Sequence, residues 1–177
     1  MSRHTRSTPR ERPPLDAAAL ERMALRYVER YATTRGKLAA YLARKMKERG
    51  VAGDMPAPHD LAERMAALGY VDDRGFAEAR AAALTRRGLG TRRVAEALRA
   101  ARVAEDDAAE ALEGARGQAW ASAMALARRR RFGPFAAEIA DDRTRERQIA
   151  AMVRAGHAFA LARTIVKSDP GEEPEPD

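Results

Sequence analysis

From Leu15 to Lys167, apolar residues recur three and four positions apart, and each such segment is bounded by a residue that starts or stops a helix. This punctuation predicts short amphipathic helices joined by tight turns. Aromatic residues make up only 5% of the 177 positions, and no long β-branched run occurs, so a sheet has little support. Alanine is abundant. It is the best helix former and leaves thin helices that can approach closely.

The first helix is expected to start at Asp16 as N-cap, with Leu15 and Leu20 as a hydrophobic staple. Leu20, Met23, Ala24, Tyr27, Val28 and Tyr31 form its stripe. Thr33 or Thr34 caps a second helix bearing Leu38, Leu42 and Met46, which Gly50 ends. A third opens near Pro58 and turns Leu61, Met65 and Leu68 inward. Asp72 or Asp73 caps a fourth, with Phe76, Ala77, Ala83 and Leu84 on its apolar side. Thr91 caps a fifth, with Val94, Leu98 and Ala101, and a sixth runs from about Ala104 to Ala115. Trp120, Met124 and Ala127 mark the seventh. The eighth, from Asp142 or Thr144, presents Ile149, Met152 and Val153, and the last presents Phe159, Ala162, Ile165 and Val166. Trp120, Phe76, Leu98 and Met46 are expected in the core.

The helices fall into threes. Met46, Leu98 and Met152 each lie four residues before a junction, at Gly50-Val51, Arg102-Val103 and Gly156-His157. The junctions are 52 and 54 residues apart. The expected fold is therefore all-α, with three tandem three-helix repeats forming an elongated, curved helical array. The divisions are a disordered basic tail at 1–14, repeats at 15–71, 72–116 and 117–167, and a disordered acidic tail at 168–177.

The net charge is +7. Residues 1–14 carry four Arg and one Glu, and residues 168–177 carry five acids and no base, so the body between them is more basic than the whole. Such a body suits a polyanionic partner or, equally, a solvated Arg-rich surface. With no cysteine, disulfides, thiolate catalysis and Cys-ligated zinc are excluded. No secretory signal and no membrane-length apolar run is visible, so a cytoplasmic protein with no membrane partner is expected.

Leu68-Gly69-Tyr70-Val71-Asp72-Asp73-Arg74-Gly75-Phe76-Ala77 is the most distinctive stretch. It resembles the central signature of the RecX family, in which Gly-Tyr-(Leu/Val)-Asp-Asp is followed by Phe-Ala. Gly88-Leu89-Gly90-Thr91-Arg92-Arg93-Val94 and Leu98 stand where that family has a Gly-rich basic turn and a short helix. Thr33–Leu38 and Arg49-Gly50-Val51 look like its first-repeat helix pair. The chain departs from the pattern at Arg102, where the family favours Gly. The resemblance spans roughly residues 17–165 and implies structural roles for Gly69, Tyr70, Asp72, Asp73, Phe76, Ala77, Gly88 and Leu98. It also implies a regulator that binds the RecA recombinase polymerised on single-stranded DNA and reduces its ATP hydrolysis, strand exchange and co-protease activity; a monomer is expected.

The residues themselves offer little chemistry. The pairs Asp72-Asp73, Asp106-Asp107 and Asp141-Asp142 could serve acid/base or metal chemistry, but each stands where a helix begins, which capping and the helix dipole explain. His4, His59 and His157 are scattered and form no metal pair, and there is no phosphate loop or nucleophile motif. No enzyme activity, cofactor or metal is expected. Trp120, Tyr27 and Phe76 read as core rather than stacking platforms.

The candidates for partner binding are Arg86, Arg87, Arg92, Arg93 and Arg99, together with Arg128, Arg129, Arg130 and Arg131. Lys45, Lys47 and Arg49 form a further basic cluster. Cations at helix C-termini also complement the dipole. Four consecutive arginines exceed that need, since they circle a whole turn. Their contacts would be acidic protein surface or phosphate, with weak, sequence-independent DNA binding. The alternatives are a helix-turn-helix-like DNA-binding module reading bases with Arg92 and Arg93, or a helical scaffold without a nucleic-acid link.

Overall fold

A computed structural model describes residues 13–175. Among them the chain is helical throughout: α1 (Ala17–Arg30), α2 (Arg35–Arg49), α3 (Pro58–Ala67), α4 (Asp73–Arg86), α5 (Thr91–Ala100), α6 (Glu105–Gly117), α7 (Ala119–Arg130), α8 (Asp142–Arg154) and α9 (Phe159–Lys167). A 3₁₀ turn, Gly133–Phe135, lies between α7 and α8. The described residues contain no strand, only an isolated bridge between Leu15 and Val51. None of the helices is long and apolar enough to cross a membrane. The chain divides into two compact units, the first ending at Val71 and the second beginning at Asp72.

In the first unit the Asp16 carboxylate accepts from the Ala19 N–H at 2.6 Å and starts α1. Leu15 and Leu20 are both fully buried, as the staple requires. Thr34, not Thr33, caps α2, its hydroxyl accepting from the Lys37 N–H at 3.1 Å. The core joins Leu15, Leu20, Ala24, Leu38, Leu42, Leu61, Met65 and Val71. Met46 is only partly buried against it. Leu68, expected to face inward, is 59% exposed, because α3 ends at Ala67 and Leu68 lies in the turn beyond.

The second unit holds two apolar clusters. One joins Ala77, Ala81, Leu84, Val94, Leu98, Ala108, Ala111 and Ala115 across α4, α5 and α6, where alanines let α4 and α6 approach closely. The other joins Ala123, Leu126, Ala127, Met152, Ala162, Ile165 and Val166 across α7, α8 and α9. Leu98 is buried, whereas Trp120 and Phe76 are partly buried. Phe159, expected inward, is 61% exposed, since it is the first residue of α9.

Thr91 is not the cap of α5. Gly90 is the N-cap, and the Thr91 hydroxyl donates to the Ala115 carbonyl at 3.3 Å. Of the N-terminal segment expected to be disordered, residues 1–12 lie outside the described residues. Pro13 is held by Arg49, whose Nη2 donates to its carbonyl at 2.7 Å. The segment at the other end, also expected to be disordered, makes specific contacts. The Gly171 N–H donates to the Pro134 carbonyl at 2.9 Å, and Asp169 lies 3.9 Å from Arg145.

Candidate partner-binding site

The basic turn after α4 is built by local stops and tertiary contacts together. Gly88 N–H bonds the Thr85 carbonyl and Leu89 N–H bonds the Leu84 carbonyl, closing α4 with a left-handed residue at Gly88 (φ 74°). Gly90 then meets the α8–α9 turn so closely that a Cβ there would collide with the Gly156 carbonyl. This contact explains why a glycine, rather than a side-chain cap, begins α5. The Gly90 N–H donates to the Ala155 carbonyl at 2.9 Å, the Arg92 N–H to the Gly156 carbonyl at 3.3 Å, and Arg92 Nη2 to the Val153 carbonyl at 2.7 Å. Orphan carbonyls at the end of α8 are thus satisfied by donors at the start of α5, positive helix end against negative.

His157 is buried in this joint. Its Nε2 lies 3.0 Å from the Gly88 carbonyl, which can only accept, so Nε2 carries the proton. Nδ1 is then an unprotonated nitrogen, buried without a hydrogen-bond partner. Burial pushes its pKa below the ordinary value, outweighing the opposing effect of the Gly88 bond.

The predicted arginines sort by what they touch. Arg129 Nη1 donates to the Arg87 carbonyl at 2.7 Å, so the second cluster caps the helix that ends in the first. Arg128 pairs with Glu173 at 3.0 Å and lies 4.7 Å from the Phe135 ring centre. Arg93 pairs with Glu96 at 2.8 Å and holds that carboxyl below its usual range. Arg131 adopts the left-handed conformation (φ 57°). Arg86, Arg87 and Arg130 are exposed, and their side chains make no hydrogen bond or ion pair among the described residues; Arg99 is exposed near Glu96.

The acidic pairs act at helix starts. Asp72 accepts from the Gly75 N–H at 2.9 Å and Asp141 from the Thr144 N–H at 2.7 Å. Thr144 holds the Asp141 carboxyl below its ordinary value. Asp107 pairs with Arg74 at 3.2 Å. Among the described residues no three His, Asp or Glu side chains gather as a metal site. His59 is exposed, 3.8 Å from Glu63, and His4 lies outside the described residues.

A curated relative, "Regulatory protein RecX" of Myxococcus xanthus (strain DK1622), is 30% identical over 162 residues, covering 85% of this chain and 86% of its own. The chain belongs to the RecX family. Crystal structures of RecX share the fold. The Lactobacillus salivarius protein superposes with a TM-score of 0.60 at 15% identity, over 85% of this chain and 94% of its own. A second, titled regulatory protein RecX, superposes at 0.58 and 19% identity, over 84% and 72%. No family model matches the chain.

The stretch that resembles the RecX signature straddles the boundary between the units. Gly69 is left-handed (φ 80°) and closes α3, Asp72 caps α4, and Asp73 and Ala77 are buried. Tyr70, for which the resemblance implies a structural role, is 52% exposed.

One grouping escaped the sequence reading, which placed Tyr27 in the core and Arg49 in a basic cluster with Lys45 and Lys47. Arg26, Tyr27, Arg30 and Tyr31 of α1 line a cavity with Tyr41, Arg44 and Arg49 of α2. The signal was present as Arg-Tyr pairs four residues apart, but Tyr27 and Tyr31 also fit the apolar stripe, and the two readings share one period.

Proposed function

We propose that the protein is a non-enzymatic, cytoplasmic, monomeric regulator. It binds the filament that the RecA recombinase forms on single-stranded DNA and modulates it, mostly by inhibiting its ATPase, strand-exchange and co-protease activities. The observation that carries this reading is RecX family membership along 85% of the chain. The exposed arginines around the α4–α5 turn and the end of α7 support it. Arg86, Arg87 and Arg130 have no internal partner among the described residues and suit acidic protein surface or phosphate. Binding of duplex DNA by the free protein is weak, independent of sequence and steeply salt-dependent, because it rests on counterion release at the phosphates.

Arg92, Arg93 and Arg129 are held by the protein's own groups, so exposed arginines make the cleaner test. Equimolar protein added to preformed filament is expected to lower DNA-dependent ATP hydrolysis. Arg86→Glu with Arg130→Glu should remove much of that effect at an unchanged unfolding midpoint. Unchanged ATPase, strand exchange and filament length at saturating protein would sink the reading.

The helix-turn-helix reading is less well supported. The first turn of α5, where base-reading side chains would stand, packs on Val153–His157.

A further inference from the structure

The first unit gathers aromatic rings and cations around one cavity, far in sequence from the arginines considered above. Tyr27 stacks on Tyr41, with ring centres 4.3 Å apart and planes 23° from parallel. Tyr31 lies 5.1 Å from Tyr27, tilted by 50°, and is 49% exposed. The Arg30 guanidinium sits 5.5 Å from the Tyr31 ring centre, and the Arg44 guanidinium 5.8 Å from that of Tyr41. The cavity measures about 550 Å³ and is lined by these three tyrosines and by Arg26, Arg30, Arg44 and Arg49, with Met23 and no carboxylate.

The charges there are largely unneutralised. Arg26 and Arg30 form no ion pair among the described residues. Glu48, outside the lining, turns to Lys45 at 2.6 Å and reaches Arg44 only at 3.7 Å. Arg49 donates from Nη2 to Pro13, but its Nε is buried with no acceptor.

We propose that this cavity binds a nucleotide unit, with its base stacked on the Tyr27–Tyr31–Tyr41 platform and its phosphate held by Arg26, Arg30, Arg44 and Arg49. Stacking rings interleaved with cations are what an unpaired base and its phosphate require. The volume falls in the range of small-molecule sites. An acidic peptide would use the arginines but leave the rings without a planar partner. The unit comes from a single strand or from free nucleotide; the chemistry is shared. The proposal does not depend on the recombinase reading, and no recombinase enters its test.

The test measures binding of the full chain to a labelled oligothymidylate at low salt. Competitors are an abasic strand of equal length, thymidine monophosphate and a polyglutamate peptide. Oligothymidylate is expected to bind more tightly than the abasic strand. Tyr31→Ala should weaken it by roughly 5- to 150-fold, as for the loss of one stacked base, and leave abasic binding unchanged. Arg26→Gln with Arg30→Gln should flatten the salt dependence by about 0.7 in log–log slope per lost phosphate contact. Monophosphate matching the strand in affinity identifies free nucleotide as the ligand; a much weaker monophosphate identifies the strand. A strand carrying 5-iodouracil should photo-crosslink to peptides containing Tyr27, Tyr31 or Tyr41, a readout that needs no variant. The proposal is overturned if crosslinks fall only beyond Val71, if Tyr31→Ala leaves affinity unchanged, or if abasic strand or polyglutamate binds as well as oligothymidylate.

Discussion

His157 shows how one side chain comes to depend on the whole fold. The sequence places it after a glycine at a helix junction; the structure buries it between two turns, with one ring nitrogen on Gly88 and the other unpaired. Folding lowers its pKa from the ordinary 6.5, so the unfolded chain binds more protons in the window below that value. Its contribution to stability is full above the unfolded pKa and is lost as pH falls toward the lowered folded one. The urea midpoint of the second unit is expected to drop on acidification through this window, and His157→Gln should remove that part of the drop. An identical pH profile in the variant would refute it. Leu98, 1% exposed, tests the core in the same way. Leu98→Ala should cost about 2–5 kcal/mol in chemical unfolding. Asp16, Thr34 and Asp72 were legible as caps because a cap bonds within three residues of itself. Leu68, Tyr70 and Phe159 were not legible as exposed, because polarity alone does not say whether a side chain at a turn or a helix end points inward or outward.

Among elements, the helix stops carry the most information. α3, α4, α5, α7 and α8 close alike: the residue after the C-cap, or the C-cap itself, is left-handed, and the next N–H reaches back five residues. Three of these stops use glycine, at Gly69, Gly88 and Gly156, whereas α5 and α7 use Arg102 and Arg131, both at φ 57°. A side chain there opposes the following carbonyl. Arg102→Gly and Arg131→Gly should each stabilise by up to about 1 kcal/mol, while Arg80→Gly inside α4 should destabilise by about 1 kcal/mol. Loss of stability at either left-handed site, read from the thermal midpoint, would mean the arginine side chain contributes more than its backbone strain removes. The junctions at Arg102 and Gly156, aligned by sequence spacing, share this geometry. Gly50 shares the positive φ (72°) but departs in ψ (166°), and Val51 then bridges to Leu15. That bridge spans 36 positions, so no local pattern announces it.

At the scale of the molecule, we propose that each apolar cluster marks one of three repeats, at 15–71, 72–116 and 117–167. Supporting this, the third helix of each set starts from an alanine N-cap without a side-chain bond, at Ala57, Ala104 and Ala158. The repeats need not be separable. Gly88 touches the Leu126 backbone and Gly90 the Gly156 carbonyl, so the second and third sets share contacts that a cut would expose. Residues 72–177 are therefore expected to fold alone with a cooperative transition, and residues 72–116 are not. Circular dichroism and urea titration of the two fragments would decide this; a cooperative fold for 72–116 would show that its alanine-lined core suffices. Sequence by itself determined the helical class, most helix boundaries and the caps at Asp16 and Asp72, because periodicity, capping and chain stops act over a few residues. It also carried the family resemblance, in Gly69–Ala77. Only the tertiary structure decided which arginines are held and which are exposed, why Gly90 begins α5, that His157 is buried, and that Tyr27, Tyr31 and Tyr41 meet around a basic cavity. Each of those facts depends on groups far apart in the chain, whose approach is set by packing and left unmarked by any local pattern.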